Sequence, residues 1–285
     1  MFFADLAVAL AGRVPLGVAN AFAWALAWTW WWVLPFRRRV AVDNLRAALP
    51  EAPPRATLTR MMHDIVLGYV EIARYRRESD QLRHGARPEG GWPEEPSRTV
   101  QIAVDLGGIP PGCILVGGHS GSFDLYLLAI ADRLPIAVFF KTPASAWARD
   151  RLREVRTAHD ILGLETGAKM ADGYRALEAG RCVFFVQDQR YAKGIDSPFF
   201  GRPARTSTGL AAAVLRTGRP VWSAWGWRDG PGRHHVVFRP MPLPPLTGDR
   251  AMDLQALTDA MNRFYEAGIR TAPHGWLWLH RRWAR

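Results

Sequence analysis

The segment Gly117-Gly118-His119-Ser120-Gly121-Ser122-Phe123-Asp124 brings an imidazole, a carboxylate and two hydroxyls into one glycine-rich stretch. A fold back at this spacing can carry the Asp124 carboxylate to one ring nitrogen of His119. That fixes the tautomer, steadies the imidazolium and leaves the other nitrogen to take a proton from a hydroxyl. The amides near Gly121 are candidates to hold an oxyanion. The same residues also fit a plain helix-capping turn with an incidental histidine. A third reading takes Gly118 to Ser122 as a near match to G-x-S-x-G, with Ser120 as a nucleophile. Its last glycine is a serine here, and no HGGG-type segment precedes it.

These residues need a scaffold, and the flanking runs supply one. Cys113-Ile114-Leu115-Val116 reads as a short buried strand, and Leu125 to Ala131 as a helix with Ser122 at its N-cap. His119 is then expected at the C-terminal end of a strand, where open α/β sheets bind ligands. Ile136–Phe140 and Cys182–Val186 are further strand-like runs. They end in Lys141 and in Asp188-Gln189-Arg190, so three polar clusters are expected along one sheet edge. Helices are expected over Arg37–Glu51, Arg55–Glu78, Trp147–Leu162, Ala171–Ala179, Thr208–Leu215 and Met252–Ala267. The second of these repeats Leu58, Met61, Met62, Ile65, Tyr69, Ile72 and Ala73 at i, i+3, i+4 spacing. Residues 84–98 and Ser197–Thr208 are rich in turn formers. Strands are expected at Pro220–Trp227 and His235–Arg239, with His234-His235 on an exposed face or edge. The fold class is α/β, a mixed, mostly parallel sheet flanked by helices.

The 285 residues include 37 Lys and Arg, nearly all Arg, against 26 acidic residues, giving a net charge of +11. A charge of that size suits an anionic partner, whether nucleic acid, an acidic carrier protein or an anionic membrane. The N-terminal part favours the membrane. From Val14 to Phe36 no side chain is charged, a run long enough for a bilayer core, which takes about 20 residues. It contains Trp24, Trp28, Trp30, Trp31 and Trp32, and Arg37-Arg38-Arg39 follows, which orients the body toward the cytoplasm. Residues 1–36 are therefore expected to form an anchor helix, spanning or monotopic, and 37–285 the working domain. Tryptophan recurs in the tail, Trp276 to Trp283. Cys113 and Cys182 lie in apolar runs and read as buried thiols. No Cys/His set has metal-ligand spacing, and no metal or cofactor is expected.

Taken in order, these segments resemble the lauroyl/myristoyl acyltransferases of lipid A biosynthesis, the bacterial late acyltransferases. The resemblance runs through Arg37-Arg38-Arg39-Val40, Asn44-Leu45, the H-x4-D box at His119–Asp124, Ala176 to Gly180, Asp188-Gln189, Pro198-Phe199-Phe200-Gly201 with Thr206 to Thr208, and Trp278 to Trp283. It implies a glycerolipid-acyltransferase-like fold, an acyl-carrier-protein thioester donor and a lipid-linked hydroxyl acceptor such as a lipid A precursor. It further implies work at the cytoplasmic face of the bacterial inner membrane, without nucleic acid. His119 matches the catalytic histidine and Asp124 its acidic partner, while Lys141, Asp188, Gln189, Arg190, Arg205 and Thr206 form the expected substrate-binding set. Two departures stand out. The acidic partner is Asp where lipid A enzymes usually carry Glu, and Lys141 stands where an Arg is usual, keeping charge but losing the bidentate fork.

A thioester is already activated, so general-base help from His119, worth about 10²–10⁴-fold, suffices. Two other readings stay open. A serine hydrolase would use Ser120 with Asp229 and His274. A catalytically silent lipid-surface protein would keep the anchor and lose the chemistry.

Overall fold

The computed structural model describes residues 10–82, 97–140, 142–165 and 169–283. Three helices come first: α1 (Leu16–Trp32), α2 (Arg38–Ala48) and α3 (Pro54–Leu82). The sheet region follows, with β1 (Gln101–Asp105), β2 (Ile114–Gly117), α4 (Phe123–Ala131), β3 (Ile136–Phe139), α5 (Ala146–Ala158), β4 (Ile161–Leu164), α6 (Met170–Glu178) and β5 (Cys182–Val186). Then come β6 (Ile195–Phe199), β7 (Arg202–Thr206), α7 (Gly209–Thr217), β8 (Val221–Gly230), β9 (Arg233–Pro240), α8 (Arg250–Thr271) and a 3-10 turn at Pro273–Gly275.

Seven strands form one sheet in the order β1-β9-β8-β2-β5-β3-β4. From β8 to β4 every neighbouring pair is parallel, and β8 runs antiparallel to β9. This is the mixed, mostly parallel α/β sheet expected. β2 reads as continuous apolar residues because it is buried on both faces, as parallel strands between helices are. Leu125, Leu127, Leu128 and Ile130 of α4 pack on one face with Phe184, Trp222 and Phe238. Leu210 and Val214 of α7 and Leu257, Tyr265 and Ile269 of α8 cover the other. The 29-residue α3 joins both cores, with Leu58 and Met61 in one and Tyr75 in the other. Its middle crosses the end of the sheet at which His119 lies.

Several expectations are corrected. Ile161 and Leu162 belong to strand β4, because Asp160 turns at φ +52° and ends the helix before them. Ser197 to Thr206 is largely an antiparallel hairpin, turned by Phe200 and Gly201, both at positive φ. His234 is buried, bonded to Tyr126 and Glu71, because β9 lies inside the sheet beneath α3. The tail tryptophans are core residues: Trp276 and Trp278 are fully buried, and Asn44 of α2 donates to the carbonyls of Trp278 and His280. Most of the 84–98 loop lies outside the described residues.

The anchor also differs from a span. Among the described residues no helix is long and apolar enough to cross a membrane. At 17 residues α1 extends about 26 Å, short of a hydrocarbon core of about 30 Å. Ala19, Ala23 and Ala27 bury one side of α1, two of them in a small cluster with Leu67 of α3. On another side Val18, Phe22, Leu26, Trp28 and Trp32 are exposed, and Val33, Leu34 and Phe36 continue the apolar strip.

Candidate functional site

β2 and β5 are neighbours with Gly117 opposite Val186. His119 and Asp188 each lie two residues beyond that pair, so the sheet register brings them together. The contact is tight. His119 Nδ1 lies 2.7 Å from Asp188 Oδ1, and the His119 amide donates to Oδ2 at 2.8 Å. The Trp276 indole N–H also donates to Oδ2, at 2.8 Å. A carboxylate can only accept here, so Nδ1 carries the proton and Nε2 is the basic nitrogen. Gly118 permits the approach, since a Cβ there would meet Asp188 Oδ2 at 3.2 Å. The Asp188 side chain is 1% exposed and that of His119 33%.

Burial raises the Asp188 pKa, but the His119 charge and the hydrogen bonds from His119 and Trp276 outweigh it, and the net shift is downward. Burial lowers the His119 pKa, yet the charge and hydrogen bond of Asp188, with the charge of Asp124, lift it above the ordinary imidazole value. Asp188 thus holds the position expected for Asp124. No hydrogen bond joins Asp124 to His119, because Asp124 starts α4 and faces the cleft while the ring turns toward β5. Burial raises the Asp124 pKa against the opposing charges of His119 and Arg156.

Other expectations resolve in the same geometry. The turn amides are committed: His119 N–H to Asp188, Ser120 N–H to Gly118 O, Gly121 N–H to Gly275 O. Ser122 sits at the N-cap of α4 without capping it; its Oγ accepts from Arg228 Nη2 at 3.0 Å. Ser120 is buried and lines a separate void of about 10 Å³, away from the cleft that holds His119. It forms no triad with Asp229 and His274. Gln189 Nε2 stands 3.4 Å from both ring nitrogens of His119. The Arg190 amide approaches His280 Nδ1 at 3.5 Å. Two residues lie elsewhere. Thr206 is buried under the hairpin, accepting from Arg282 Nη2 at 2.7 Å, and Arg205 reaches Asp196 and the Ala192 carbonyl on its outer side. Lys141 lies outside the described residues.

The His119 cleft is about 140 Å³ and is roofed by Met61, Ile65, Gly68, Tyr69 and Ile72 of α3, with His274 to Leu277 closing one side. Through Tyr69, Ile72 and Asp124 it opens into a groove of about 720 Å³. That groove is mostly apolar, with Leu127, Leu128, Phe140, Trp147, Leu152 and Val155 among its walls. Arg156 also lines it, 6% exposed, its guanidinium 3.4 Å from the Phe140 ring centroid and Nη1 3.4 Å from Glu165. Its Nε and Nη2 have no hydrogen-bond partner among the described residues. Sequence reading missed Arg156, Trp276 and the α3 roof. The roof residues carried a signal, the i, i+3, i+4 stripe, which read as core alone.

Comparison with family models decides the lineage: residues 110–285 match bacterial lipid A biosynthesis acyltransferase. The chain belongs to that family. No curated protein matches it. The protein is therefore an acyltransferase of the lipid A biosynthesis type, with an acyl donor and a lipid acceptor. The match begins before β2 and contains His119, Asp124 and Trp276 of the cleft, Asp188 bonded to His119, and Arg156 of the groove.

Proposed function

We propose that this acyltransferase moves a fatty acyl chain from an acyl-carrier-protein thioester to a hydroxyl of a lipid A precursor or related lipid, with His119 as general base. One observation carries the reading: the Nδ1 of His119 is locked on buried Asp188, in a cleft that runs directly into an apolar groove. The acceptor hydroxyl gives its proton to Nε2 as its oxygen attacks the thioester carbonyl. The carbonyl π pair moves onto oxygen, and the positive charge of the Arg156 guanidinium on the adjoining groove favours the resulting oxyanion. When the C–S bond breaks, the thiolate leaves with the proton from the imidazolium. Asp188 holds the ring and steadies its positive charge. Asp124 adds a second negative charge at the cleft, which favours the imidazolium as it forms.

The groove of about 720 Å³ is the seat for the acyl chain. The net charge of +11 suits an acidic carrier protein. The exposed strip of α1 with Arg37, Arg38 and Arg39 suits in-plane binding to an anionic membrane surface, the cytoplasmic face of the inner membrane. The test is acyl transfer by protein reconstituted on vesicles, with carrier-protein thioesters of several lengths, crude lipid acceptor and product mass as readout. Transfer abolished by His119→Ala and kept by Ser120→Ala supports the reading. Thioester hydrolysis that depends on Ser120 refutes it.

A further inference from the structure

Beside the cleft, Asp64, Glu71, Arg228 and His234 are buried ionisable side chains that the transfer chemistry does not use. The two carboxylates stand on α3, Arg228 on β8 and His234 opposite it on β9. The Arg228 guanidinium bonds Glu71 through Nη1, and its Nε lies 3.3 Å from Asp64 Oδ1. Its Nη2 donates to the Asp64 carbonyl at 3.1 Å and to Ser122 Oγ at 3.0 Å. His234 forms a second strut. The Glu71 carboxylate accepts from Nε2 at 3.1 Å, so Nδ1 accepts from the Tyr126 hydroxyl, also at 3.1 Å. Ser122 and Tyr126 lie one turn apart at the start of α4, with Asp124 between them. Burial would raise the Asp64 and Glu71 pKa values, but hydrogen bonds from His63 and His234 and the charge of Arg228 outweigh it, and both shift downward.

The bond from Arg228 to Ser122 is the unusual one. Two carboxylates already balance the guanidinium charge, so this bond meets no ionic need. It also leaves α4 without a cap. A serine at an N-cap ordinarily accepts from the amides of the first turn. Ser145 does so for α5, taking the Ala148 amide. Ser122 makes no cap bond and stands at ψ 61°. Gly68 shares the α3 face of Asp64 and Glu71, by its i+4 and i+3 spacing, and a Cβ there would meet Ser122 Oγ at 2.9 Å. The roof therefore touches the His119–Asp124 turn at the point where Arg228 joins them. We infer that Arg228 is a positioning residue for acyl transfer, which fixes the first turn of α4 through Ser122 and so holds the Asp124 carboxylate at the cleft; this rests on the reading of His119 as base. The planar fork of an arginine serves three elements at once, where an ammonium would serve fewer. A first turn without this tether would be free to shift off the roof, and Asp124 with it.

The test is a double-mutant cycle across the contact, read as steady-state transfer by the full chain on vesicles. Ser122→Ala cuts the tether and leaves Arg228 its two carboxylates. Gly68→Ala reaches the same bond from α3: alanine favours the helix, but its Cβ turns Ser122 off Arg228. Each should lower kcat about tenfold, with KM for donor and acceptor within about twofold of wild type. The thermal midpoint should stay level for Ser122→Ala and stay level or rise for Gly68→Ala. Because both break one contact, the double variant should lose about tenfold rather than about a hundredfold. Wild-type kcat in Ser122→Ala overturns the inference. So do losses that multiply in the double variant, or a kcat loss matched by a fall in midpoint. Transfer that survives His119→Ala would refute the general base instead, and the cycle would still read the positioning.

Discussion

Among the described residues, the histidine–aspartate pair at the cleft has nearly the geometry of one in the core. His119 Nδ1 meets Asp188 at 2.7 Å and His159 Nδ1 meets Asp132 at 2.8 Å. Both carboxylates take a further donor, Trp276 in one case and Tyr75, at 2.5 Å, in the other. Access separates them. The His119 side chain is 33% exposed into the cleft, and that of His159 is 0% exposed, between α5 and β4. A hydrogen-bonded imidazole becomes a base only where its second nitrogen can meet a substrate. The same pair elsewhere ties α4 to α5.

The largest expected effect breaks the comparison outright. His119→Ala should cut acyl transfer by about 10²–10⁴-fold, with its denaturation midpoint near wild type. His159→Ala should do the reverse, costing about 1–3 kcal/mol of stability by leaving Asp132 short of a donor, with transfer per folded molecule retained. Urea melts and initial rates on the same preparations check both. Asp188→Asn comes next. The Asp188 charge holds the His119 pKa up, and transfer needs the neutral ring, so the wild-type rate should rise with pH through a value above the ordinary 6.5. Without that charge the rising limb should move to lower pH, and the maximal rate should fall by about 10²-fold or more through loss of the tautomer. A pH profile that keeps its position would refute the role of Asp188. Trp276→Phe removes one hydrogen bond from the same carboxylate, so a fall of about five- to tenfold in kcat is expected. The smallest effect sharpens the access side. Ala148→Leu on the groove wall should shift preference toward shorter acyl chains, read from product masses with mixed donors, with little change in total rate.

What the sequence conveyed was the part written in single strands. β2 and β5 are unbroken apolar runs, and that pattern alone assigns the polar residues just after each to one sheet edge. What it withheld was pairing across the chain. Asp124 is close to His119 in sequence and invites the contact, whereas Asp188 wins it through the register of β2 against β5, which no local pattern encodes. Arg156 looked like one charge among several on a solvated helix; its burial depends on Phe140 and on the bare backbone of Gly163, where a Cβ would meet Nη1 at 3.0 Å. Trp28 and Trp32 of α1 are exposed while Trp276 and Trp278 of the tail are buried, because the tail folds between α2, the hairpin and Asp188.

That tail sets a schedule for the enzyme. Gly275 accepts from the amide of Gly121 and Trp276 donates to Asp188, and both follow every sheet strand in chain order. A nascent chain that has already emerged through α8 holds a finished sheet and an unfinished site. Ribosome-bound intermediates therefore lack the Trp276 hydrogen bond to Asp188 and the Gly275 contact of the His119 turn, and the site is completed late, once the segment after α8 has docked.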